Sequence, residues 1–355
     1  MREIAGLLYP VNSLIHYKII TKHFHHIVLM LVSLIFTKYY FLLTNEYYPP
    51  AYANKIASFQ ADKVFQKRFL VPVAVNFISE NTPLCFDKSL KFVTALSTFG
   101  LLYYFNKLLK IHINRTFSQF WCIVLIIPVS WNYMIINSIY HAYDIPTLFF
   151  YIFCLYLFLS KKYFLFYIIF SVATLNREST CFISISTALL LSKFHSDHRF
   201  KDTLRKNLGL MRHLIAQAIL WSLIVLLISW LVKDSPGQSY EVTYSMSVFI
   251  ANMWNGSSSW PFLNNESFFG NPRCFLTLFG CLWLLIPFLW KYIPKDCKKL
   301  LLLIPIYMIP ALLYANLMEA RVYHELNVVI ALVVASGLIE MKYRKLNLNV
   351  NACNA

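Results

Sequence analysis

Four short clusters of ionisable residues stand inside or beside long apolar runs: Tyr143-Asp144, Arg177-Glu178, Glu319-Ala320-Arg321 and His324-Glu325. Charge is expensive to hold away from water, so such groups are candidate site residues wherever their neighbours are lipid-like. Arg321 is the one basic residue of the turn from Glu319 to Glu325, with His324 beside it. A planar guanidinium suits a phosphate or carboxylate gripped by paired hydrogen bonds. Structural roles compete with this chemistry. Arg177 and Glu178 can pair with neighbouring helices simply to hold them together. Asp144 precedes Ile145-Pro146, where it can cap a helix, and the carboxylates of Asp144 and Glu178 could equally bind a divalent cation.

A second group lies in a polar stretch, segment 44–88. It begins Glu46-Tyr47-Tyr48-Pro49-Pro50, continues to Asp62, and reaches Phe65-Gln66-Lys67-Arg68-Phe69-Leu70-Val71-Pro72. From Ala51 onward Ile56, Phe59 and Val64 recur at helical spacing, which predicts a helix lying on a membrane surface. Lys67 and Arg68 above a lipid face suit the headgroup of a phospholipid or polyprenyl phosphate. They suit equally well a surface helix anchored by snorkelling side chains.

Most of the chain must position these residues within lipid. Hydrophobic residues make up 58% of 355 positions and charged residues 14%, too apolar for an ordinary solvated surface. The apolar runs have the length a helix needs to cross a hydrocarbon core, and no barrel-like alternation is present. The formal charge of +16 therefore reads as membrane topology rather than nucleic-acid binding, because the basic residues recur at every second loop and no nucleic-acid motif accompanies them. Of eight cysteines, Cys122, Cys154, Cys181 and Cys281 lie in apolar runs. Only Cys85 and Cys274 fall near or outside the membrane, where one disulfide between them could form. No metal-ligand spacing appears, and His23, His25 and His26 read as a solvated flank of the first span.

The expected fold is all-α: residues 1–355 form one transmembrane helix bundle with about eight spans and both ends in the cytoplasm. The first run is retained as a span, since Lys38 and bulky tyrosines stand where a cleavage site would lie. Segments 44–88 and 233–272 fall outside. Residues 163–192 are apolar at both ends, basic on both flanks and interrupted by Asn176-Arg177-Glu178-Ser179. A single span would put one basic flank on the wrong side, so this segment is expected to form two short helices in a hairpin whose polar tip is buried or lines a wet cavity.

This arrangement resembles the C superfamily of membrane glycosyltransferases, as a distant member of bacterial type. The resemblance rests on the long external segment after the first span and on the string Arg68-Phe69-Leu70-Val71-Pro72. Tyr143-Asp144-Ile145-Pro146, Leu175-Asn176-Arg177-Glu178-Ser179 and Glu319-Ala320-Arg321 also look similar, while the adjacent carboxylate pair of many members is absent. The resemblance implies a transferase of the bacterial inner membrane that takes sugar from a polyprenyl phosphate and passes it to a glycan or lipid acceptor outside. By position it implies Glu46 or Asp62 as the catalytic acid of the first external loop. Lys67, Arg68, Asp144, Arg177, Glu178, Glu319, Arg321 and His324 are then substrate-binding candidates. A polymerase or ligase of lipid-linked glycans, a secondary transporter and an assembly protein without catalysis are the other readings. The transporter reading expects two related halves, and no internal repeat is found.

Overall fold

The computed structural model describes residues 24–45, 49–113, 119–136, 139–192, 200–237, 276–314 and 320–353. Every regular element among them is helical, and the β contact recorded is an isolated bridge between Asn45 and Ile139. The longer helices are α1 (Phe24–Leu43), α2 (Leu70–Asn81), α3 (Phe86–Ile113), α4 (Asp144–Leu159), α5 (Tyr163–Asn176), α6 (Cys181–Leu191), α7 (Phe200–Leu231), α8 (Leu303–Tyr314) and α9 (His324–Cys353). Three stretches are long and apolar enough to cross a bilayer: α1, residues Asn207–Leu231 of α7 and residues His324–Lys345 of α9. Shorter apolar helices, α4, α5 and α6 among them, fill the space between.

Their surroundings differ sharply. In α9 the run from Leu326 to Ala335 is apolar around the whole helix apart from Asn327, and such a helix must be enclosed by others. Accordingly 72% of its most apolar stretch is buried, against 11% for α7. Ile219, Leu223, Leu226 and Trp230 of α7 are all more than half exposed, a surface that calls for lipid or another apolar partner. Helix α9 is thus the pillar of the bundle, and α7 stands at its rim.

Along their length α3 and α4 pack together. Gly100 makes this closeness possible: a Cβ there would stand 2.6 Å from Cε2 of Phe149. Two apolar runs bend instead of continuing as plain α-helices. Residues 119–135 pass from 3-10 through α to π winding. Pro128 lies inside this run and cannot donate to the helical ladder. In residues 278–285 Phe279, Gly280 and Cys281 carry φ of 58°, 62° and 61°. The Asn132 side chain ties these irregular turns to the pillar: its Oδ1 accepts from Phe279 N at 3.0 Å and its Nδ2 donates to Asn327 Oδ1 at 2.8 Å.

The interruption at 176–179 is where the apolar segment breaks. Arg177 is extended (φ −162°, ψ 136°) between α5 and the 3-10 turn Glu178–Thr180. Asn176 donates to Thr147 Oγ1 at 2.9 Å, which sets the break beside the start of α4. Helix α6 then runs back along α4, where Ser186 meets the Tyr151 hydroxyl at 2.6 Å; past its end the Ser192 carbonyl receives Lys299 Nζ at 2.9 Å.

Segment 44–88 is built from short pieces, Ala53–Ala57 and Lys63–Gln66, followed by α2. Phe59 takes a left-handed conformation (φ 58°) and breaks the helical spacing expected from Ala51 onward. Ile56 and Phe65 turn onto Tyr143 inside the protein, leaving Phe59 exposed. Gln66 locks the segment, donating to the Ile56 carbonyl at 2.8 Å and accepting from Ala61 N at 3.2 Å. Elsewhere, His25 is buried beside Asn106 and Phe120 rather than solvated. Cys85 is an exposed free thiol, while Cys274 lies outside the described residues.

Candidate functional site

The break between α5 and α6, the first residues of α4 and α9, and the approach to α2 meet at one place. Asp144 opens α4, and its Oδ2 accepts from His141 N at 3.1 Å, closing the turn ahead of the helix. Its carboxylate therefore braces the preceding turn and also sits in the first turn of a helix, where negative charge is favoured. His324 opens α9. Arg177 is extended at the break between α5 and α6, and it and Glu178 line the same cavity.

These groups form a buried ionic cluster. Asp144 Oδ1 lies 3.8 Å from Arg177 Nη1 and 3.5 Å from His324 Nε2. Arg177 Nη1 also contacts His324 Nε2, and the Tyr133 hydroxyl contacts His324 Nδ1. A guanidinium carries donors alone, whereas each ring nitrogen of His324 donates or accepts according to its tautomer. The chain Tyr133, His324, Arg177 and Asp144 thereby fixes the arginine fork from two sides.

A second arginine approaches from segment 44–88. Arg68 Nη1 donates to the Tyr143 hydroxyl at 2.9 Å, and its guanidinium lies 5.1 Å from the centre of the Tyr143 ring. Tyr143 also faces Arg177, at 6.0 Å, and stacks on His141 with an interplanar angle of 2°. Both guanidinium groups thus lie beside one aromatic ring, whose electron-rich face favours nearby cations. Glu178, half-buried, lies in the field of Arg68, Arg177 and Lys67. Trp221 of α7 holds the backbone here by donating to the Glu178 carbonyl at 2.8 Å.

Around this cluster opens a cavity of about 550 Å³. One end is polar, with Arg68, Tyr143, Asp144, Arg177 and Glu178 on its wall. The other runs between α6 and α8 and is lined by Phe182, Ile185, Ile306 and Pro310. Tyr307 joins the two ends: it stacks on Phe182 with centroids 4.1 Å apart, and its hydroxyl donates to Glu325 Oε2 at 2.5 Å. Ile306, on this wall, and Ile309, on the next residue but two of α8, reach the exposed apolar surface. Such a cavity suits an amphiphile with an anionic head and a hydrocarbon tail.

Of the residues singled out from the sequence, Arg68, Asp144, Arg177 and Glu178 line this cavity, and His324 supports it from behind. Lys67 does not line it but acts on Glu178 through its charge. Asp62 stands apart, its side chain against Gly237, with Pro236 accepting from the next backbone amide, Lys63 N, at 2.6 Å. Glu46 and Glu319 lie outside the described residues; Arg321 falls in the 3-10 turn Ala320–Tyr323, and only its backbone is described. Among the described residues no group of three or more His, Cys, Asp or Glu side chains could hold a metal ion. Arg68, Arg177 and Lys67 already supply positive charge at this place. Tyr133, His141 and Tyr307 are site residues that the pattern of charges could not disclose, though His141 lies only three residues before Asp144.

No protein-family model, no curated protein and no solved structure matches this chain.

Proposed function

We propose that this chain is a multi-pass membrane glycosyltransferase that takes a sugar from a polyprenyl phosphate and hands it to a glycan or lipid acceptor on the extracytoplasmic face. The reading includes about eight spans, both ends in the cytoplasm and a place in the bacterial inner membrane. The observation that supports it best is the cavity whose charged end carries Arg68 and Arg177 and whose apolar end runs between α6 and α8. A phosphate seated between the two guanidinium groups would leave its hydrocarbon chain along Phe182, Ile185 and Ile306.

In this reading the acceptor oxygen bonds to the anomeric carbon as the bond from that carbon to the phosphate oxygen breaks. The polyprenyl phosphate departs with the electron pair, and its growing charge is met by Arg68 and Arg177. Glu178 takes the acceptor proton. It is better placed for this than Asp62, which does not line the cavity, and than Asp144, which is buried and already engaged with Arg177 and His324.

The test is transfer of radiolabelled sugar from a polyprenyl-phosphate donor in membranes carrying each variant at matched expression. Arg68→Lys keeps the charge but loses the fork, and transfer should fall at least about tenfold. Glu178→Gln should lower transfer about a hundredfold while donor retention stays near normal. Undiminished transfer by both variants would overturn the assignment.

A further inference from the structure

Lys38 is an oddity of α1. It stands in a helix apolar enough to cross a bilayer, with Leu34, Ile35, Leu42 and Leu43 exposed around it. Lys91 occupies a matching place near the start of α3, beside the exposed Phe92. The two lysines line one groove of about 440 Å³ between the helices, together with Thr37, Phe41 and Ala95. Neither lysine forms an ion pair with a carboxylate among the described residues, and Asp87, one turn from Lys91, is not joined to it. The interaction that Lys91 does make is with the Phe41 ring, 5.8 Å from its centre, which turns the ammonium over the groove.

An ammonium on a lipid-facing helix is costly unless it reaches water or a counter-ion. Two from adjacent helices, converging on an apolar trough, place positive charge where a lipid headgroup meets its acyl chains. We propose that this groove binds the phosphate of an anionic glycerophospholipid, from the leaflet reached by the C-terminal end of α1, with acyl chains along Leu34, Phe92 and Ala95. The site is separate from the arginine cavity, which shares no lining residue with it. It needs only that the chain lie in a bilayer, not that it transfer sugar.

Native mass spectrometry of the purified full chain, offered phosphatidylglycerol or phosphatidylcholine in equal amounts, reads this directly. The wild-type protein should retain phosphatidylglycerol several-fold more than phosphatidylcholine. The double variant Lys38→Gln, Lys91→Gln should lose that preference and the double Lys→Arg variant should keep it. Removing a charge from an apolar helix eases insertion, so the glutamine variants should fold; each single change should show an intermediate loss. Equal retention of the two lipids by the wild type, or an unchanged preference in the double glutamine variant, would overturn the proposal. Displacement of the lipid by free inorganic phosphate would overturn it too, since it would assign the site to a soluble anion.

Discussion

Burial in segment 44–88 pushes the Lys67 ammonium below the ordinary lysine range; Glu178 opposes the shift, and Arg68 and Lys63 add to it. The charged form is therefore disfavoured in the folded protein, and Lys67 loses its proton at lower pH than a solvated lysine does. Two effects follow, with opposite signs. As pH rises between the folded and ordinary values the unfolded chain binds more protons, so folding stability increases over that window. If the Lys67 charge serves a phosphate or keeps Glu178 anionic, transfer falls over the same window. A pH profile of sugar transfer should show this alkaline decline, and Lys67→Arg should move it to higher pH while removing the stability gain. Arg177, Glu178, Asp144 and His324 could be read from the sequence because each is an ionisable group surrounded by apolar ones. Tyr133 could not: with 23 tyrosines in the chain, no single one marks itself. Its role depends on a π-wound turn that brings its hydroxyl to His324.

Contacts between helices are set by small details that hydrophobic pattern does not carry. At Gly100 α3 comes so close to α4 that any side chain there meets the Phe149 ring. Gly100→Leu should destabilise the bundle by about 1–3 kcal/mol, read as a lower midpoint in detergent unfolding, and Phe149→Ala in the same chain should recover part of the loss. Helices α5 and α6 were legible as separate elements because Asn176-Arg177-Glu178-Ser179 is a polar interruption that no lipid-facing helix tolerates. The irregular windings at 119–135 and 278–285 were not. Their residues are as apolar as those of any straight span, and Pro128, Gly280 and Pro287 signal a bend without its form. The surface helix expected from Ala51 onward fragments for a similar reason: Ile56 and Val64 pack into the cluster around Tyr143, while Phe59 stays exposed.

At the scale of the molecule, α9 is the element that the others surround, and Asn327 is its polar key. Asn327 accepts from Asn132, whose other atom receives the Phe279 amide, and donates to the Tyr323 carbonyl at 3.1 Å. Asn327→Leu should cost about 1–3 kcal/mol by leaving a buried amide unmatched. Adding Asn132→Leu should not restore stability, since the Phe279 amide then loses its acceptor; comparing the three unfolding midpoints checks this. The pillar also follows every helix it supports in the order of the chain. Tyr133, Asn132 and Asp144 all reach the ribosome exit before His324 and Asn327, the groups that later satisfy them, have been joined to the peptide. Until then the earlier helices carry the Tyr133 hydroxyl and the Asn132 amide without the partners that α9 supplies, while Asp144 has Arg177 and the His141 amide. They must be sheltered by the insertion machinery or by provisional contacts among themselves, and a synthesis pause just before residue 324 would lengthen the time for which quality-control proteases can see an incomplete bundle.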